Sequence, residues 1–471
     1  MNILPPLRLA LACALLLPLC ACSLAPKYAR PDSRFPDSFA ASDRPKADLA
    51  TVTAAERAWW REFNSSALTL LQEEALRNNH DFAAARWVLA QSLSQARASR
   101  ADLFPSLDMG GSGSRRGRAS QGGYSVSDAV SGTAQASYEL DLWSKNADSA
   151  RAADFQATAS LNAWRGAGLS LESEVALTYF SYLAAKENLA VYDSILDNAR
   201  AVLAYLEKRE RLGAAPPLDV VRQRGSVRSM EAERINHDLK MREARNTLCL
   251  LLGATTLSPR LDALIEQEKM RHLTPPPVRA GLPSELLARR PDIAEAEAGL
   301  QAANANIGVA RSAFLPSITL TASAGWESDA LSTLISPASA LYSLAGSILQ
   351  PIFQGGKLLA RHDEAVARQR ELVERYRQTT LSAFWEVSTA LEAVALLQSQ
   401  EEHRKQSAGQ AAEAYRIARA RYEKGAEDFL AVLAAQETLL SSDNSLIQTR
   451  LERLNSAVTL FKALGGGWGK G

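Results

Sequence analysis

The side chains whose chemistry is easiest to name stand near the start of the chain, in Leu19-Cys20-Ala21-Cys22. This stretch resembles the bacterial lipoprotein signal, in which the last cysteine takes a diacylglycerol on its sulfur and an acyl chain on its freed amine. Cys22 would then be the first residue of the mature protein. Arg8 and the apolar run from Leu9 to Leu19 precede it. That run is too short to span a bilayer stably and reads as a removed targeting segment. Cys20 departs from the Ser, Thr, Ala or Val usual at its position. Ser23 stands where an Asp would suggest retention in the inner membrane, so the outer membrane is favoured. A plain secretory signal cleaved elsewhere is the alternative. The other thiol of the mature chain, Cys249, lies among Leu248, Leu250, Leu251 and Leu252 and reads as a small core hydrophobe.

Other reactive side chains are not grouped. His80, His237, His272, His362 and His403 are scattered, without the His-Glu-x-x-His spacing of a metal site, and neither a Gly-x-Ser-x-Gly elbow nor a phosphate-binding loop occurs. Carboxylates along the helical stretches read as solvated faces. Neither an enzyme nor a cofactor beyond the lipid on Cys22 is expected. The 53 basic and 52 acidic residues leave no basic face for nucleic acid, and removal of Arg8 brings the charge nearer zero. With 46% apolar content in 471 residues, the chain can bury a substantial core. No later run of eighteen uninterrupted apolar residues occurs, so no transmembrane helix is expected. A membrane crossing would need a closed β-barrel.

The elements that position these residues come in two copies. Asp81-Phe82 leading to Leu103-Phe104-Pro105-Ser106-Leu107 matches Asp292-Ile293 leading to Phe314-Leu315-Pro316-Ser317-Ile318, at an offset of 211. Tyr138 to Trp143 matches Ile348 to Phe353 at 210, and Thr247-Leu248 to Leu252-Gly253 matches Thr459-Leu460 to Leu464-Gly465 at 212. The chain is a tandem duplication. Each half reads as a helix (66 to 103, 284 to 314) stopped by Pro105 or Pro316, two short strands, a very long helix, a Gly-containing turn and a last long helix.

In 134–142, and again in 318–326, apolar and polar residues alternate at period two. Strands of about ten residues with one lipid face and one wet face suit a tilted transmembrane sheet; a half-buried hairpin of a soluble domain is the alternative. The Gly- and Ser-rich stretches Gly110 to Gly132 and Ser328 to Ser339 read as exposed loops. Four strands cannot close a barrel, since the smallest have about eight, so insertion demands an oligomer. The runs 145 to 212 and 357 to 424 lack proline and would extend on the order of 100 Å. Leu189, Tyr192, Leu196, Ala199, Leu203 and Leu206, and then Ile447, Leu451, Leu454, Val458 and Phe461, recur at the three-four spacing of coiled-coil seams. Asn304 and Asn306 flank small residues and read as close helix packing.

Several blocks then resemble the TolC-type outer-membrane factor family and its NodT-like efflux lipoproteins. They are Leu24-Ala25-Pro26 with Tyr28 and Arg30-Pro31; Trp59-Trp60 with Phe63; Gly281 to Ile293, containing Ala288-Arg289-Arg290-Pro291-Asp292; Pro351 to Gly356; and Lys462 to Trp468. The resemblance covers the mature chain end to end. It implies a mixed α/β membrane protein, mostly long helices forming a periplasmic α-barrel continuous with a small transmembrane β-barrel completed by trimerisation. The expected divisions are a signal peptide at 1–21, a lipidated extended segment at 22–55, a first repeat at 56–257, a Pro-rich linker at 258–283, a second repeat at 284–467 and a tail at 468–471. The implied function is the passive outer-membrane duct of a tripartite efflux system for drugs or other small compounds. Its implied partners are two further copies of the chain, a periplasmic adaptor, an inner-membrane RND-type pump and outer-membrane lipid. The alternatives are the duct of a type I polypeptide secretion system and a non-conducting periplasmic coiled-coil lipoprotein.

The resemblance also places adaptor contacts at the two helical tips: Arg211, Leu212, Gly213, Leu218, Asp219 and Val220 in the first, Arg421, Tyr422, Gly425, Leu430 and Val432 in the second. One departure concerns closure of the periplasmic aperture. Where family members often carry an Asp after the second tip, this chain has Leu433-Ala434-Ala435-Gln436. Asp219 and Asp428 are the possible substitutes, with packing and other ion pairs as alternatives.

Overall fold

The computed structural model describes residues 23–32, 54–120, 123–276 and 289–466. Cys22 and the signal segment lie outside the described residues, as do the opening of the Gly281 block and Trp468. A 3-10 segment, Ala54–Phe63, leads into α1 (Ser66–Asn78) and α2 (His80–Ala101). Strands β1 (Ser106–Ser120) and β2 (Gly123–Leu140) follow, then α3 (Lys145–Arg211) and α4 (Pro217–Leu251). After a short α5 (Pro259–Gln267) the order repeats as α6 (Pro291–Ser312), β3 (Ser317–Ser328), β4 (Ala340–Leu349), α7 (Lys357–Glu423) and α8 (Phe429–Ala463). Helices α3 and α7 are both 67 residues long, and α4 and α8 are both 35. Equal lengths in two separate runs fit a duplication.

The structure corrects three expectations. The helix expected over 66–103 breaks at Asn79, whose extended backbone and side-chain bond to Phe82 N (2.8 Å) start a new helix. The Pro-rich linker contains α5, capped by Ser258, and buries Leu261, Ile265 and Met270. The supposed loop Gly110 to Gly132 is paired strand: β1 and β2 hold 15 and 18 residues, with Ser120 opposite Gly123. Ladder hydrogen bonds along β2 extend this hairpin although its Gly and Ser side chains give no apolar alternation to read. One 18-residue window of α7 has, by length and composition alone, the hydropathy of a membrane span, with 33% of it buried; this does not overturn the expectation of no transmembrane helix.

The chain divides into two compact units. One comprises residues up to 32, 87–161 and 295–378 and contains the sheet; the other comprises 33–86, 162–294 and 379–471. The second unit has a large core in which Trp59, Phe63, Leu68, Leu71, Tyr179, Phe180 and Leu454 are almost fully buried, each side chain stabilising by about 1.5–3 kcal/mol. Trp59 stacks on Phe461 at 5.3 Å between ring centres. Cys249 is a free buried thiol in this core. Of the first seam, Tyr192, Leu196, Ala199 and Leu206 are buried, and of the second, Ile447, Leu454 and Val458.

Candidate functional site: the sheet, the strap and the helical tips

The sheet has the order β1-β2-β3-β4, antiparallel throughout, so that among the described residues β1 and β4 each pair on one side only. Because side chains alternate across a strand, register alone sorts the two faces. Leu107 lies level with Ala136, Ala322 and Leu344, and Met109 with Ala134, Ala324 and Tyr342. Leu107, Met109, Tyr342 and Leu344 are highly exposed. The opposite face sets Asp108 level with Gln135, Ser323 and Ser343, and Ser112 level with Ser131 and Glu327. Ser112 and Ser131 share a hydrogen bond across this face (2.9 Å). One face is apolar and the other hydroxyl- and amide-rich, as a strand between lipid and a wet lumen requires. At the inner end, Trp143 Nε1 donates to Pro316 O (2.7 Å) and ties the end of the first hairpin to the start of the second.

In the same unit, the extended strap 23–30 runs along α6. Ser23 Oγ donates to the carboxylate of Asp148 (2.8 Å), Arg311 Nη1 to Leu24 O (3.0 Å) and Asn304 Nδ2 to Pro26 O (2.6 Å). Arg30 Nε and Nη2 hold both carboxylate oxygens of Glu297 (2.8 and 2.6 Å). Asn304 therefore anchors the strap as well as lying in a small-residue helix face. A Cβ at Gly308 would stand 2.2 Å from Asp148 Oδ2 and 2.8 Å from Ala25 N, so glycine is what admits the strap. The Asp148 side chain is fully covered, and its burial raises its pKa against the opposing effects of Ser23 and Arg151. Sequence reasoning took such helix carboxylates as solvated and so missed the strap's first anchor; Gly308 was the available signal.

The tips belong to the other unit. Helix α3 ends with Ala214 N donating to Arg209 O and Gly213 N to Glu210 O, both 2.8 Å; α7 ends with Ala426 N to Arg421 O and Gly425 N to Tyr422 O, both 2.9 Å. This is the Schellman arrangement, and it needs the positive φ of Gly213 (70°) and Gly425 (74°). Leu212, Leu218 and Leu430 are exposed, as are Arg211 and Arg421. Val220, Tyr422 and Val432 instead lie beneath the tips in a cluster with Leu206, Tyr415 and Phe429, so they brace the turns and are not on the surface. Arg209 sits over the rings of Tyr205 and Tyr422 (5.8 and 5.9 Å) and donates to Ala214 O (2.8 Å). Asp428 caps α8 through Leu430 N (3.2 Å). Asp219 is raised in pKa by burial and then by the charge of Asp428, with Arg222 opposing.

A four-stranded, two-faced sheet on duplicated long helical hairpins defines a class of outer-membrane channel. The model of the outer membrane efflux protein family matches residues 71–254 and 282–466, one match per repeat, and the chain belongs to that family. The pyoverdine export outer membrane protein OpmQ of Pseudomonas aeruginosa is 37% identical over 422 residues, 88% of either chain. The cation efflux system protein CusC of Escherichia coli is 34% identical over 466 residues, covering 96% of this chain and 98% of the relative. The crystal structure of the open-state MtrE outer membrane channel of Neisseria gonorrhoeae superposes with a TM-score of 0.84 at 29% identity, over 95% of this chain and 98% of that one. The protein is an outer-membrane efflux channel component of a Gram-negative bacterium, with a periplasmic portion.

Proposed function

We propose that three copies of the chain close their sheets into one barrel of about twelve strands, giving a passive duct through which small compounds leave. The observation that carries this is the sheet itself: one face is apolar, while among the described residues β1 and β4 are left with unpaired outer edges. An open edge in lipid costs several kcal/mol per unsatisfied group, and edge-to-edge closure with further copies removes it. Exposed Trp87, Val88 and Leu93 on α2, and Leu381, Trp385 and Leu396 on α7, supply apolar surface for the same assembly. The duct carries no catalysis and no cofactor. Cys22 bears the lipid anchor, and the strap fixes the chain immediately after it.

Leu212, Leu218 and Leu430, with Arg211 and Arg421, form the surface that receives a periplasmic adaptor linked to an RND-type inner-membrane pump. Relatives named for pyoverdine export and cation efflux favour small-compound efflux over polypeptide secretion. Ala434 leaves the second tip without the family's acidic residue; Arg209, clasped by two tyrosines worth about 0.5–1 kcal/mol each, holds the first tip shut in its place. Reconstitution of the purified protein into planar bilayers tests this. Arg209→Ala trimers should conduct several-fold more than wild type, and trimers that stay silent in both forms would exclude a duct.

A further inference from the structure

The register of the first hairpin carries arginines beyond the paired end of the second hairpin, whose connection holds one acid, Asp329, just past Ser328. Strand β3 pairs with β2 only as far as Val130 opposite Ser328, whereas β1 and β2 continue pairing to Ser120 and Gly123. On this projecting part, Arg116 lies opposite Ser127 and Arg118 opposite Ser125. Both arginines are exposed and share the parity of Asp108 and Ser112, so they continue the polar face of the sheet. Arg115 is of the other parity and meets Asp128 at 3.4 Å. The polar face carries acidic groups too, but further in. Glu327 is level with Ser112, about 13 Å inward of Arg116 at the usual rise per residue. Asp108 is deeper, and Glu139 is paired with Lys145 (3.0 Å).

We infer that Arg116 and Arg118 give the outward mouth of the channel a preference for anions. This rests on the proposed trimeric duct: the long helices leave the sheet at one end, so the hairpin projects at the opposite, external end. Rings of Arg or Lys select anions in pores. Two such residues per chain make six in a trimer. Acting over a Debye length of about 10 Å at 0.1 M salt, they enrich anions several-fold at the mouth. The compounds that leave most readily are therefore small acids and other anionic amphiphiles.

The test is the chloride-to-potassium permeability ratio of Arg209→Ala trimers in planar bilayers under a KCl gradient. The ratio should exceed unity and fall roughly threefold or more when Arg116→Gln and Arg118→Gln are added, with the difference fading near 1 M salt. The charge-preserving pair Arg116→Lys and Arg118→Lys should keep the preference, as should Arg115→Gln on the other face. Should the double Gln variant not assemble, Arg116→Gln alone is expected to give part of the fall. Conducting trimers with one unchanged ratio across all these variants, or with a cation preference before any is introduced, would overturn the inference alone. Absence of conductance throughout would remove the duct reading and this one with it.

Discussion

Asn79 and Arg290 occupy matching places in the two repeats, and each donates to the last turn of the helix that closes its own repeat. Asn79 Nδ2 reaches Leu251 O at 2.9 Å; Arg290 Nη1 reaches Ala463 O at 2.8 Å. The first repeat does this with a neutral amide that also caps α2. The second uses a buried guanidinium held by Asp292 (2.7 Å) and Glu386 (2.7 Å). A second pair differs the other way. Helices α3 and α7 begin at Lys145 and Lys357, so Glu172 matches Phe384; both are buried. The first repeat thus holds a carboxyl where the second holds a ring. Duplication kept the backbone geometry of each junction, while the polar chemistry that satisfies it moved from one site to another.

Glu172 offers the sharpest way to break that equivalence. Its pKa is pushed up by burial from 4.5 to about 8, and only a hydrogen bond from Trp59 Nε1 (3.3 Å) opposes the shift. Folded-state pKa lies above the unfolded value. The contribution is therefore fully present below about pH 4.5 and is lost as pH rises towards 8. At ~1.4 kcal/mol per pKa unit the loss by pH 9 is on the order of 5 kcal/mol. Glu172→Gln, which keeps an acceptor for Trp59, should flatten the profile and leave the variant the more stable form at pH 9. Denaturant unfolding of the detergent-solubilised protein at pH 5 and pH 9 measures this; parallel profiles for the two proteins would show that the carboxyl is not buried as described.

Arg290 and Asn79 come next in size. Arg290→Ala leaves Ala463 O without its donor and strips a cation from two carboxylates. Asp292 and Glu386 are half-exposed and can rehydrate, so the loss should be about 2–3 kcal/mol, below the range for a fully buried pair. Asn79→Ala removes a cap and one buried bond, about 1–2 kcal/mol. Arg290→Asn would make the second junction resemble the first. If Asn79→Ala proves the costlier of the two alanine variants in the same unfolding measurement, the charged junction is not the stronger one.

Most of the architecture was legible because it rests on strong local signals. The expected runs 145–212 and 357–424 match α3 and α7 to within a residue, each ended by a glycine (Gly213, Gly425), and the three-four spacing picked out buried Leu196, Ala199 and Leu454. What was not legible depends on partners far along the chain. Gly110 to Gly132 has the composition of a loop, and only pairing between β1 and β2 makes it strand. Glu172 and Asp148 look like any helix carboxylate until Trp59 and Ser23 fold onto them. At the tips the turns were readable from Gly213 and Gly425. Val220, Tyr422 and Val432 could not be told from the exposed leucines, because packing against Phe429 decides which apolar side chain faces inward.

The smallest expected effect separates the two tips themselves. Helix α4 starts at Pro217 with Pro216 before it and no side-chain cap, so stiffness at the first tip comes from proline. Helix α8 starts from Asp428, whose side chain takes Leu430 N. Asp428→Ala should cost about 1 kcal/mol locally, read as faster hydrogen exchange over Phe429 to Val432 with α4 unchanged. The same substitution removes the charge that helps raise the Asp219 pKa, so Asp219 should titrate lower and stay ionised as pH falls. Asp428→Asn distinguishes the two roles: it keeps a capping acceptor, so protection should persist, yet it lowers the Asp219 titration just as Ala does. Equal loss of protection in both variants would mean that the negative charge beside the helix start, and not the cap, orders the second tip.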